Sequence, residues 1–547
     1  MRFQETIERG LADAIEAAGF DAARANLVLE KPRIKEHGDI CSPVALGLAR
    51  TLKRNPMEIA ERIAGESSFP GDTVESVEVA KPGFINITLA RDALIENVRD
   101  VLAQGDGYGE SSVGGGRKCQ VEYVSANPTG PLVVVSARAA AVGSVIVNLL
   151  RAVGYDADGE YYVNDHGNQV EALGQSLRFR VRERLGMLSE GEEIGAYPGG
   201  YLRDLAAAIS SEQAASWDEE GSITPYANHA AGVLLESIRE DLDRFGVHFD
   251  NFFRESSLHP QLVEEARALV ESKGYAYMED GALHFRTTSF GDEKDRVLVK
   301  SDGKPTYFLA DIAYHMTKLN RGYKRVIDLL GPDHHGHIPR MKAAAAVLGA
   351  PEDWFEAIVV GWVRLMEGKK PISMSKRAGE FITMRDLIDD VGTDVAKYFF
   401  LMRRTNTPLD FDLELARKQS EENPVFYVQY AHARIASVTR FAEEKGARQE
   451  HGTADLSVLT SPEERDLMVH LMFYTYIIEG AAISREPHRL PVYAKELAAF
   501  FHQFYHRHRI VTDDAVVSGA RMSLAAATKQ VLGNALTMLG VSAPQSM

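Results

Sequence analysis

Cysteine is almost absent from this chain: among its 547 residues, only Cys41 and Cys119 are cysteines. Two cysteines this far apart provide neither a disulfide framework nor the ligand spacing of a zinc site. Such sparse use of cysteine is typical of proteins of the reducing cytosol. We therefore expect a cytoplasmic protein with no structural disulfide and no metal site.

The chain also lacks a long, uninterrupted apolar run. The stretch 132–150 comes closest to membrane-spanning length, but Arg138, Gly143 and Asn148 interrupt it. The buried helix of an α/β sheet has the same composition. The first residues lead into an acidic amphipathic helix without the apolar core of a signal peptide. These patterns predict a soluble protein without a membrane partner.

Positive charge is in deficit, with 61 Lys and Arg against 78 Asp and Glu and a net charge of −17. This balance argues against indiscriminate binding of nucleic acid. It leaves room for an RNA partner, because local basic clusters can contact phosphates on an otherwise acidic surface. Such clusters occur at 53–54, 403–404, 417–418 and 506–509, although a solvated helix face explains each of them equally well.

Length and patterning divide the chain into three parts, since domains of ordinary size would number three or four here. Residues 1–112 are predicted to form an N-terminal α+β domain. It has an opening helix, a second helix over 51–64 and a strand over 77–89. The glycine-rich stretch 105–116 has little apolar content, which is typical of a linker.

Residues 113–410 are predicted to form an α/β domain on a doubly wound, Rossmann-like parallel sheet. A strand over 119–124, a helix from about Pro131 and a second strand over 160–163 favour this fold, because proline is common at the first helical position. Further strands are expected over 296–300, 325–330 and 357–362.

The charged, helical pattern of residues 174–288 indicates an insertion within the sheet domain. Residues 411–547 have apolar residues at helical spacing and few strand signals, which predicts an all-α bundle.

The turn Asn127-Pro128-Thr129-Gly130-Pro131 joins the first strand to the helix of the sheet domain. The first N–H groups of a helix have no partner within the helix and, together with the helix dipole, favour an anion such as an ATP phosphate. A plain strand-to-helix connection would explain the turn equally well.

A lysine lies beside an arginine in the loop Met374-Ser375-Lys376-Arg377. Such a loop can move onto a nucleotide and neutralise charge while the α-phosphate is attacked. Without the phosphate-binding turn, an ordinary pair of basic surface residues would be the better explanation.

Glu122, Tyr307 and Asp311 suit a planar cation with five hydrogen-bond donors. Carboxylates can accept paired hydrogen bonds from a guanidinium group, and a neighbouring ring shapes the slot. Tyr307 and Asp311 are four residues apart, hence on one face if that segment is helical. Alternatively, Asp311 caps a helix and Glu122 pairs with a local lysine.

Three histidines follow a predicted strand in Asp333-His334-His335-Gly336-His337. Zinc is the less favoured explanation, because no other cysteine or histidine recurs at ligand spacing. Loops at the carboxyl ends of parallel strands line the ligand crevice, so we expect this segment to contact a nucleotide.

Taken in order, these segments resemble the arginyl-tRNA synthetases, a family of class I aminoacyl-tRNA synthetases. Residues 122–132 resemble the block that leads into the family's H-I-G-H signature, and 302–315 the block that holds substrate arginine. The other matching segments are 161–169, 331–337, 374–379, 427–434 and 539–544, the last two in the anticodon-binding domain.

The resemblance implies a role for each matching residue. Arginine would be bound by Glu122, Asn127, Tyr307 and Asp311. ATP, as its Mg²⁺ complex, would be bound by Thr129, Gly130, Pro131, Ser136, His335, His337, Met374 and Lys376. Lys376, with Arg377 and Ser136, would stabilise the activation transition state. In tRNA binding, Phe84 and Asn86 would contact the D-loop, and Tyr430 and Arg434 the anticodon, where a ring can stack on a base.

The chain departs from the family pattern at both signatures. Where the family has His-Val-Gly-His, this chain reads Val133-Val134-Val135-Ser136, and Ser373 replaces the first lysine of K-M-S-K. Both histidines that would touch the ATP phosphate and ribose, and the glycine that lets adenine approach, are therefore missing. Ser136, the amides after Gly130, and His335 or His337 are the available substitutes.

The resemblance implies a monomeric arginine–tRNA ligase with the substrates L-arginine, ATP and tRNA(Arg) and no tightly bound cofactor. It also implies that tRNA binds before arginine is activated. Two alternatives stay open: a catalytically silent tRNA-binding or regulatory protein of the same fold, and a different nucleotidyltransferase. The second would leave the C-terminal bundle without a purpose.

Overall fold

The computed structural model describes residues 3–25, 27–32, 34–189, 191–372, 382–444 and 454–547, apart from the side chains of Phe3, Gln4, Arg24, Lys35 and His335. Within these ranges the chain forms an N-terminal α+β part, a central α/β part and a C-terminal helical bundle, as the sequence predicts.

The N-terminal part packs helices on a three-stranded antiparallel sheet with the order β1-β3-β2. Its core consists of aliphatic side chains such as Ile7, Ile59 and Ile87, all completely buried. Its elements are α1 (Phe3–Ala17), β1 (Ile40–Ser42), α2 (Val44–Leu52), α3 (Pro56–Glu66), β2 (Val74–Ala80), β3 (Phe84–Leu89) and α4 (Arg91–Gln104).

Two elements of this part differ from their predicted bounds. The strand predicted over 77–89 is a hairpin, since the chain turns between β2 and β3 at Gly83, whose φ of 140° favours glycine. The helix predicted over 51–64 is divided between α2 and α3. Pro56 begins α3, and the Asn55 side chain caps it by accepting a hydrogen bond from Met57 N at 2.9 Å.

The central part contains a five-stranded parallel sheet with the order β11-β10-β4-β5-β6. Its elements are β4 (Lys118–Glu122), α5 (Val134–Ala152), β5 (Asp156–Val163), α6 (Asn168–Leu185), α7 (Tyr201–Ala208), α8 (Ser211–Glu219), α9 (Thr224–Arg244), β6 (Asn251–Arg254), α10 (Gln261–Ser272), β7 (Ala276–Glu279), β8 (Ala282–Phe285), β9 (Arg296–Val299), α11 (Tyr307–Asn320), β10 (Arg325–Leu330), α12 (Ile338–Leu348), β11 (Phe355–Val359), β12 (Val363–Glu367), β13 (Lys370–Pro371), α13 (Met384–Val391), α14 (Thr393–Leu401), β14 (Leu409–Asp412) and α15 (Leu413–Ala416).

The strand order confirms the predicted doubly wound fold. The chain enters the sheet at its centre with β4, adds β5 and β6 on one side, and then crosses back to add β10 and β11 on the other. Neighbouring strands β4 and β10 therefore lead into connections that run in opposite directions. Such a switch point opens a crevice at the carboxyl ends of the strands, where ligands bind in open α/β sheets.

The structure differs from the predicted helical insertion over 174–288. Helices α6 to α9 do form a helical layer, but β6 then returns to the parallel sheet and pairs with β5. The strand near residue 296, β9, belongs to a separate antiparallel sheet with β7 and β8. Strands of only four residues carry too short an alternation to stand out from charged helices on either side.

Helix α5 begins at Val134, three residues later than predicted, so Pro131 lies before the helix. It packs against the sheet, and a Cβ atom on Gly143 would lie 2.2 Å from the Tyr123 ring. By length and composition, α5 and a C-terminal helix over Pro462–Ser484 would suffice to span a membrane. In each, 67% of the apolar window is buried inside the protein, which is the environment of a core helix.

The C-terminal part is a bundle of α16 (Pro424–Glu444), α17 (Pro462–Ser484), α18 (Arg489–Arg507) and α19 (Ala515–Met538). The N-terminal part docks on this bundle. Arg465 of α17 pairs with Asp39 at 2.7 Å and donates to the carbonyl of Leu89 at 2.9 Å. The two outer parts therefore lie on each other in space, although they are the ends of the sequence.

Candidate functional site

Three carboxylates stand in a row across the carboxyl half of the parallel sheet. Glu122 of β4 is the register partner of both Asp328 of β10 and Glu160 of β5. Side chains at paired positions of neighbouring strands point to the same face, so three like charges lie side by side at the switch point. A row of this kind requires cations against it.

Helix α11 supplies those cations. Lys318 Nζ donates to Glu122 Oε2 at 2.7 Å and to Asp328 Oδ1 at 2.9 Å, and the Lys318 side chain has no exposed surface. Arg321 donates two hydrogen bonds to Glu160, one of them at 2.8 Å. The pairing of Glu122 with a lysine agrees with the structural explanation that the sequence left open, while 16% of the Glu122 side chain remains exposed.

The three carboxyl groups of the row differ in pKa. Burial raises the pKa of Glu122, and Lys318 offsets this only in part. At Asp328, burial also acts to raise the pKa, but Lys318 and His315 outweigh it and the pKa is lowered. At Glu160, burial acts to raise the pKa, but Arg321, Lys318 and the hydrogen bonds from Tyr314 and Asn251 together outweigh it and the pKa is lowered. Glu122 therefore holds the least compensated charge of the row.

A second group of acids, beside the row, was missed by the sequence analysis. Glu255 follows β6 directly, is 4% exposed, and accepts a hydrogen bond from the Tyr162 hydroxyl. Burial and the nearby charges of Asp311 and Asp165, against the opposing effect of the Tyr162 hydrogen bond, raise the pKa of Glu255 to about 7. A buried acid with a perturbed pKa in a cleft is typical of a functional site.

The only signal for Glu255 in the sequence is its place after the short strand β6. Because β6 was not recognised as a strand of the sheet, Glu255 could not be assigned to its carboxyl edge. Asp165 is fixed nearby by a hydrogen bond from Ser256 N at 2.8 Å and an ion pair with Arg254 at 3.1 Å.

Tyr307 and Asp311 lie on one face of α11, as the sequence predicts. Tyr307 is the first residue of the helix and is 55% exposed, while Asp311 lies one turn further and is inside the helix rather than at its cap. Asp311 Oδ2 is 3.3 Å from His337 Nε2, which belongs to the 3₁₀ turn Pro332–His337 after β10. Residues expected to bind arginine and ATP are therefore in direct contact.

The turn over 127–131 is held by three tyrosine and amide contacts. Asn127 Nδ2 donates to Gln169 Oε1 at 2.6 Å, the Tyr161 hydroxyl donates to the carbonyl of Ala126 at 2.7 Å, and Tyr201 donates to the carbonyl of Thr129. Val124 and Ser125 before it have φ angles of 68° and 40°, which end β4 sharply. Asn127 is thereby fixed at the mouth of the crevice.

The first turn of α5 follows this loop without a side-chain cap, since Val133 occupies the N-cap position. Ser136 is the third residue of the helix, so its hydroxyl and the first N–H groups lie at the same helix end. The backbone of Val133 bridges Thr383, and Met384 N donates to the carbonyl of Leu132 at 2.7 Å. The helix start is thus joined to the segment that follows residues 373–381.

Arg138, one turn into α5, is completely buried and has no carboxylate partner among the described residues. It donates to the carbonyls of Gly361 at 2.8 Å, Thr407 at 2.9 Å and Arg404 at 3.0 Å. Burial lowers its pKa to about 10. Arg138 therefore ties the start of α5 to the segments that lead into β12 and β14, the strands before and after the predicted Lys376 loop.

Several predicted residues lie outside the described part of the chain. Met374, Lys376 and Arg377 are within the stretch 373–381, and the side chain of His335 is not described. Their predicted roles in ATP binding stay predictions. Among the described residues, no group of three or more His, Cys, Asp or Glu side chains could hold a metal ion.

The predicted anticodon residues form one cluster on the bundle. The Arg434 guanidinium lies 4.4 Å from the centre of the Tyr430 ring and 4.9 Å from that of Tyr505. Tyr430 and Arg434 line a cavity of about 340 Å³ together with Phe441 and Met547. An aromatic ring beside a fixed guanidinium is a surface on which a nucleotide base can stack.

The predicted D-loop residues are less accessible. Phe84 is half-buried at the start of β3, and Asn86 is 5% exposed, between Cys41 of β1 and Glu78 of β2. A direct contact of the Asn86 side chain with tRNA would require part of this sheet face to open. Phe84 is the better placed of the two.

Comparison with protein families covers each of the three parts. Residues 5–89 match the arginyl tRNA synthetase N terminal domain, residues 97–400 the catalytic domain of class I (R) tRNA synthetases, and residues 428–547 the DALR anticodon binding domain. The chain belongs to the arginyl-tRNA synthetase family. The resemblance seen in the sequence is therefore confirmed.

Individual relatives agree with this assignment. The chain is 46% identical to the arginine–tRNA ligase of Syntrophotalea carbinolica, over 95% of this chain and 94% of that protein. It is 41% identical to the arginine–tRNA ligase of Thioalkalivibrio sulfidiphilus over the full length of both. The arginyl-tRNA synthetase structure from Thermus thermophilus has the same fold, with a TM-score of 0.80, 21% identity and 99% of each chain covered.

Proposed function

We propose that this member of the arginyl-tRNA synthetase family is an active arginine–tRNA ligase. It would condense L-arginine with ATP to arginyl-adenylate and pass the arginyl group to the terminal ribose of tRNA(Arg). The observation that carries the proposal is the group of acids at the switch point: Asp165 and Asp311 act on Glu255, and Glu255, Asp311 and Glu122 all act on Tyr162. A charge-lined crevice of this kind suits a guanidinium cation and few other amino acid side chains.

In this proposal the substrate cation lies between Glu255, which follows β6, and Asp311, which is on α11. Asp311 and Glu255 would accept hydrogen bonds from the guanidinium group, with the exposed Tyr307 ring beside it. Glu122 and Asn127, at the end of β4 and in the following turn, would hold the amino acid backbone of the substrate. Glu255 extends the set that the sequence predicts.

ATP, with Mg²⁺ as part of the substrate, would lie across Thr129, Gly130, Pro131 and the first turn of α5. The arginine carboxylate would attack the α-phosphorus, and pyrophosphate would leave. Ser136 and His337 are the described donors that would replace the signature histidines, with His335, Met374, Lys376 and Arg377 completing the set. One preorganised donor contributes about 2.7–4 kcal/mol to such a transition state, so the substitutes must supply a comparable amount.

In the second step, the terminal ribose hydroxyl of tRNA would attack the arginyl carbonyl, and AMP would leave. Tyr430 and Arg434 on the bundle and Phe84 and Asn86 on the N-terminal part would bind the tRNA at two places far apart in sequence. The protein would work as a monomer in the cytoplasm.

The experiment is aminoacylation of purified tRNA(Arg) with labelled arginine, followed as acid-insoluble radioactivity, with lysine as the competing amino acid. We expect the enzyme to charge tRNA(Arg) with arginine and not with lysine. AMP should form only when both arginine and tRNA are present. The alternative, a catalytically silent tRNA-binding protein, predicts a gel shift with tRNA but no AMP. No charging at high enzyme concentration would overturn the proposal.

A further inference from the structure

The three acids at the switch point do not share their basic partners equally. Asp328, Glu122 and Glu160 form the row, and the basic groups bonded to it are Lys318, Arg321 and the His315 ring. Lys318 is shared between Glu122 and Asp328, Arg321 is bonded to Glu160, and His315 lies against Asp328. Of the three acids, Glu122 alone has no basic partner of its own within the described part of the chain.

The three acids also differ in how many other groups bond to them. Asp328 has two partners, Lys318 at 2.9 Å and His315 at 3.1 Å, and Glu160 has Arg321, the Tyr314 hydroxyl at 2.6 Å and Asn251 at 2.7 Å. Among the described residues, Glu122 is bonded to Lys318 and, on its other oxygen, to the Ser125 hydroxyl at 3.0 Å. Glu122 is thus the member of the row with the fewest partners, and it is the one that lies next to the phosphate-binding turn.

We propose that Lys318 is a positioning residue for substrate arginine. By donating hydrogen bonds to both Glu122 and Asp328, it keeps the Glu122 carboxylate ionised and holds it toward the crevice. The proposal rests on the proposed function, because it assigns Glu122 to the arginine site. Lys318 itself has no exposed surface and touches no substrate.

Glu122 and Asp328 are too close together to be ionised independently. Neighbouring parallel strands hold Glu122 and Asp328 side by side, and two buried carboxylates at such a distance cannot both stay ionised without a cation between them. Removing Lys318 would make them share a proton. Because Asp328 keeps His315, Glu122 would take that proton and lose the charge that attracts the substrate.

The charged and titratable groups around this pair come from four elements. They are Glu122 on β4, Glu160 and Tyr162 on β5, Asp328 on β10, and Tyr314, His315, Lys318 and Arg321 on α11. The Lys318 ammonium also lies 4.3 Å from the centre of the Tyr314 ring. The basic groups of this set are Lys318, Arg321 and His315, and of these three Lys318 is the one that contacts Glu122.

The test compares Lys318→Met with a charge-balanced double variant, Lys318→Met with Asp328→Asn, in the full-length protein. We expect Lys318→Met to raise the KM for arginine at least about 30-fold, because an acid is left without its buried partner. The KM for ATP should change less than about threefold, since uniform loss of structure would affect both substrates. The increase in arginine KM should diminish as the pH is raised and the shared proton is lost.

The double variant removes one acid together with the cation, so Glu122 no longer competes for a proton. Its arginine affinity should be at least about tenfold higher than that of Lys318→Met. Its arginine KM should not show the additional pH dependence that is expected for Lys318→Met. An arginine KM and pH profile of Lys318→Met equal to those of the wild type would overturn the proposal. So would a double variant as impaired as the single one.

Lys397→Met is the matched control. Lys397 is also a buried lysine, but it donates to the carbonyls of Gly246 and Gly540, both at 3.0 Å, and contacts no acid of the row. It should lose thermal stability without a selective change in arginine KM. If Lys318→Met does not fold, the double variant decides alone: affinity within about tenfold of the wild type supports the proposal, and collapse overturns it.

Equilibrium dialysis with labelled arginine measures binding in the same variants without turnover. A wild type that binds arginine but charges no tRNA would contradict the proposed function, while the comparison of binding between variants would still decide the role of Lys318.

Discussion

His337 Nε2 and Asp311 Oδ2 are 3.3 Å apart, which joins the 3₁₀ turn after β10 to the middle of α11. The turn lies at the carboxyl end of a central strand, and α11 carries Asp311, one of the acids of the site. The contact therefore links the two sides on which ATP and arginine are proposed to bind. Substitution of either residue should change the binding of both substrates.

Asp311→Asn should lower kcat/KM for arginine by about 100-fold or more, because it removes the charge that would face the guanidinium group of bound arginine, and losing one partner of such a pair in a complex costs about 2–5 kcal/mol. His337→Ala should lower it less and should also raise the KM for ATP. Steady-state aminoacylation kinetics of both single variants and the double variant measure the coupling. Strictly additive effects would show that the contact does not link the two sites.

The arginine affinity should depend on pH through Glu255, whose pKa is raised to about 7. Below that pH the carboxyl group is protonated and must lose its proton before it can accept hydrogen bonds from the guanidinium cation. The KM for arginine should therefore rise by about tenfold per pH unit below 7, and level off above it. Glu255→Gln should have a higher KM without this slope. A slope that persists in Glu255→Gln would assign the ionisation to another group.

Ser136→Ala tests whether the hydroxyl at the start of α5 replaces a missing signature donor. We expect kcat for adenylate formation to fall about 100- to 1000-fold with little change in arginine KM, as for loss of one preorganised donor. Ser144→Ala on the same helix is the control, because the Ser144 hydroxyl donates to the carbonyl of Ala141 within α5. Equal rates for both variants would remove Ser136 from the ATP site.

Arg138→Met should destabilise the protein by at least about 3 kcal/mol, since it leaves several buried carbonyls without donors at roughly 1–3 kcal/mol each. Urea unfolding followed by circular dichroism measures this change. Arg151→Met is the comparison on the same helix: Arg151 pairs with Asp250 at 2.8 Å but is 46% exposed, so its loss should cost less than about 1 kcal/mol. Similar midpoints for the two variants would contradict the role of Arg138.

Tyr430→Ala should weaken tRNA binding by about 10- to 100-fold through loss of a stacking surface, and leave arginine KM unchanged. Tyr430→Phe keeps the ring and loses only the hydroxyl that accepts from Arg434, so its affinity should stay near that of the wild type. Filter binding with labelled tRNA measures both. A weaker Tyr430→Phe would point to the hydroxyl rather than the ring.

Two acids show how far local pattern reaches. Glu122 could be predicted because it lies in the strand expected over 119–124 and a turn of unusual composition follows that strand. Glu255 could not, because β6 has four residues and its alternation is lost among charged helices. The spacing of Tyr307 and Asp311 placed them on one face on the condition that the segment is helical, which α11 fulfils, whereas the hairpin of β2 and β3 appeared as one strand. These predictions rely on local periodicity, and a short element has too few residues to show a clear period.

Local periodicity, turn chemistry and recognisable blocks were enough to predict the order of the parts, the parallel sheet, the buried helix after the turn at 127–131 and the acids Glu122 and Asp311. Which charges meet depends on the packing of the folded chain. Register across β10, β4 and β5 sets three acids in line, and the face of α11 brings Lys318 beneath them from nearly two hundred residues away. Such distances in the chain are bridged by strand pairing and helix packing, which no local pattern encodes.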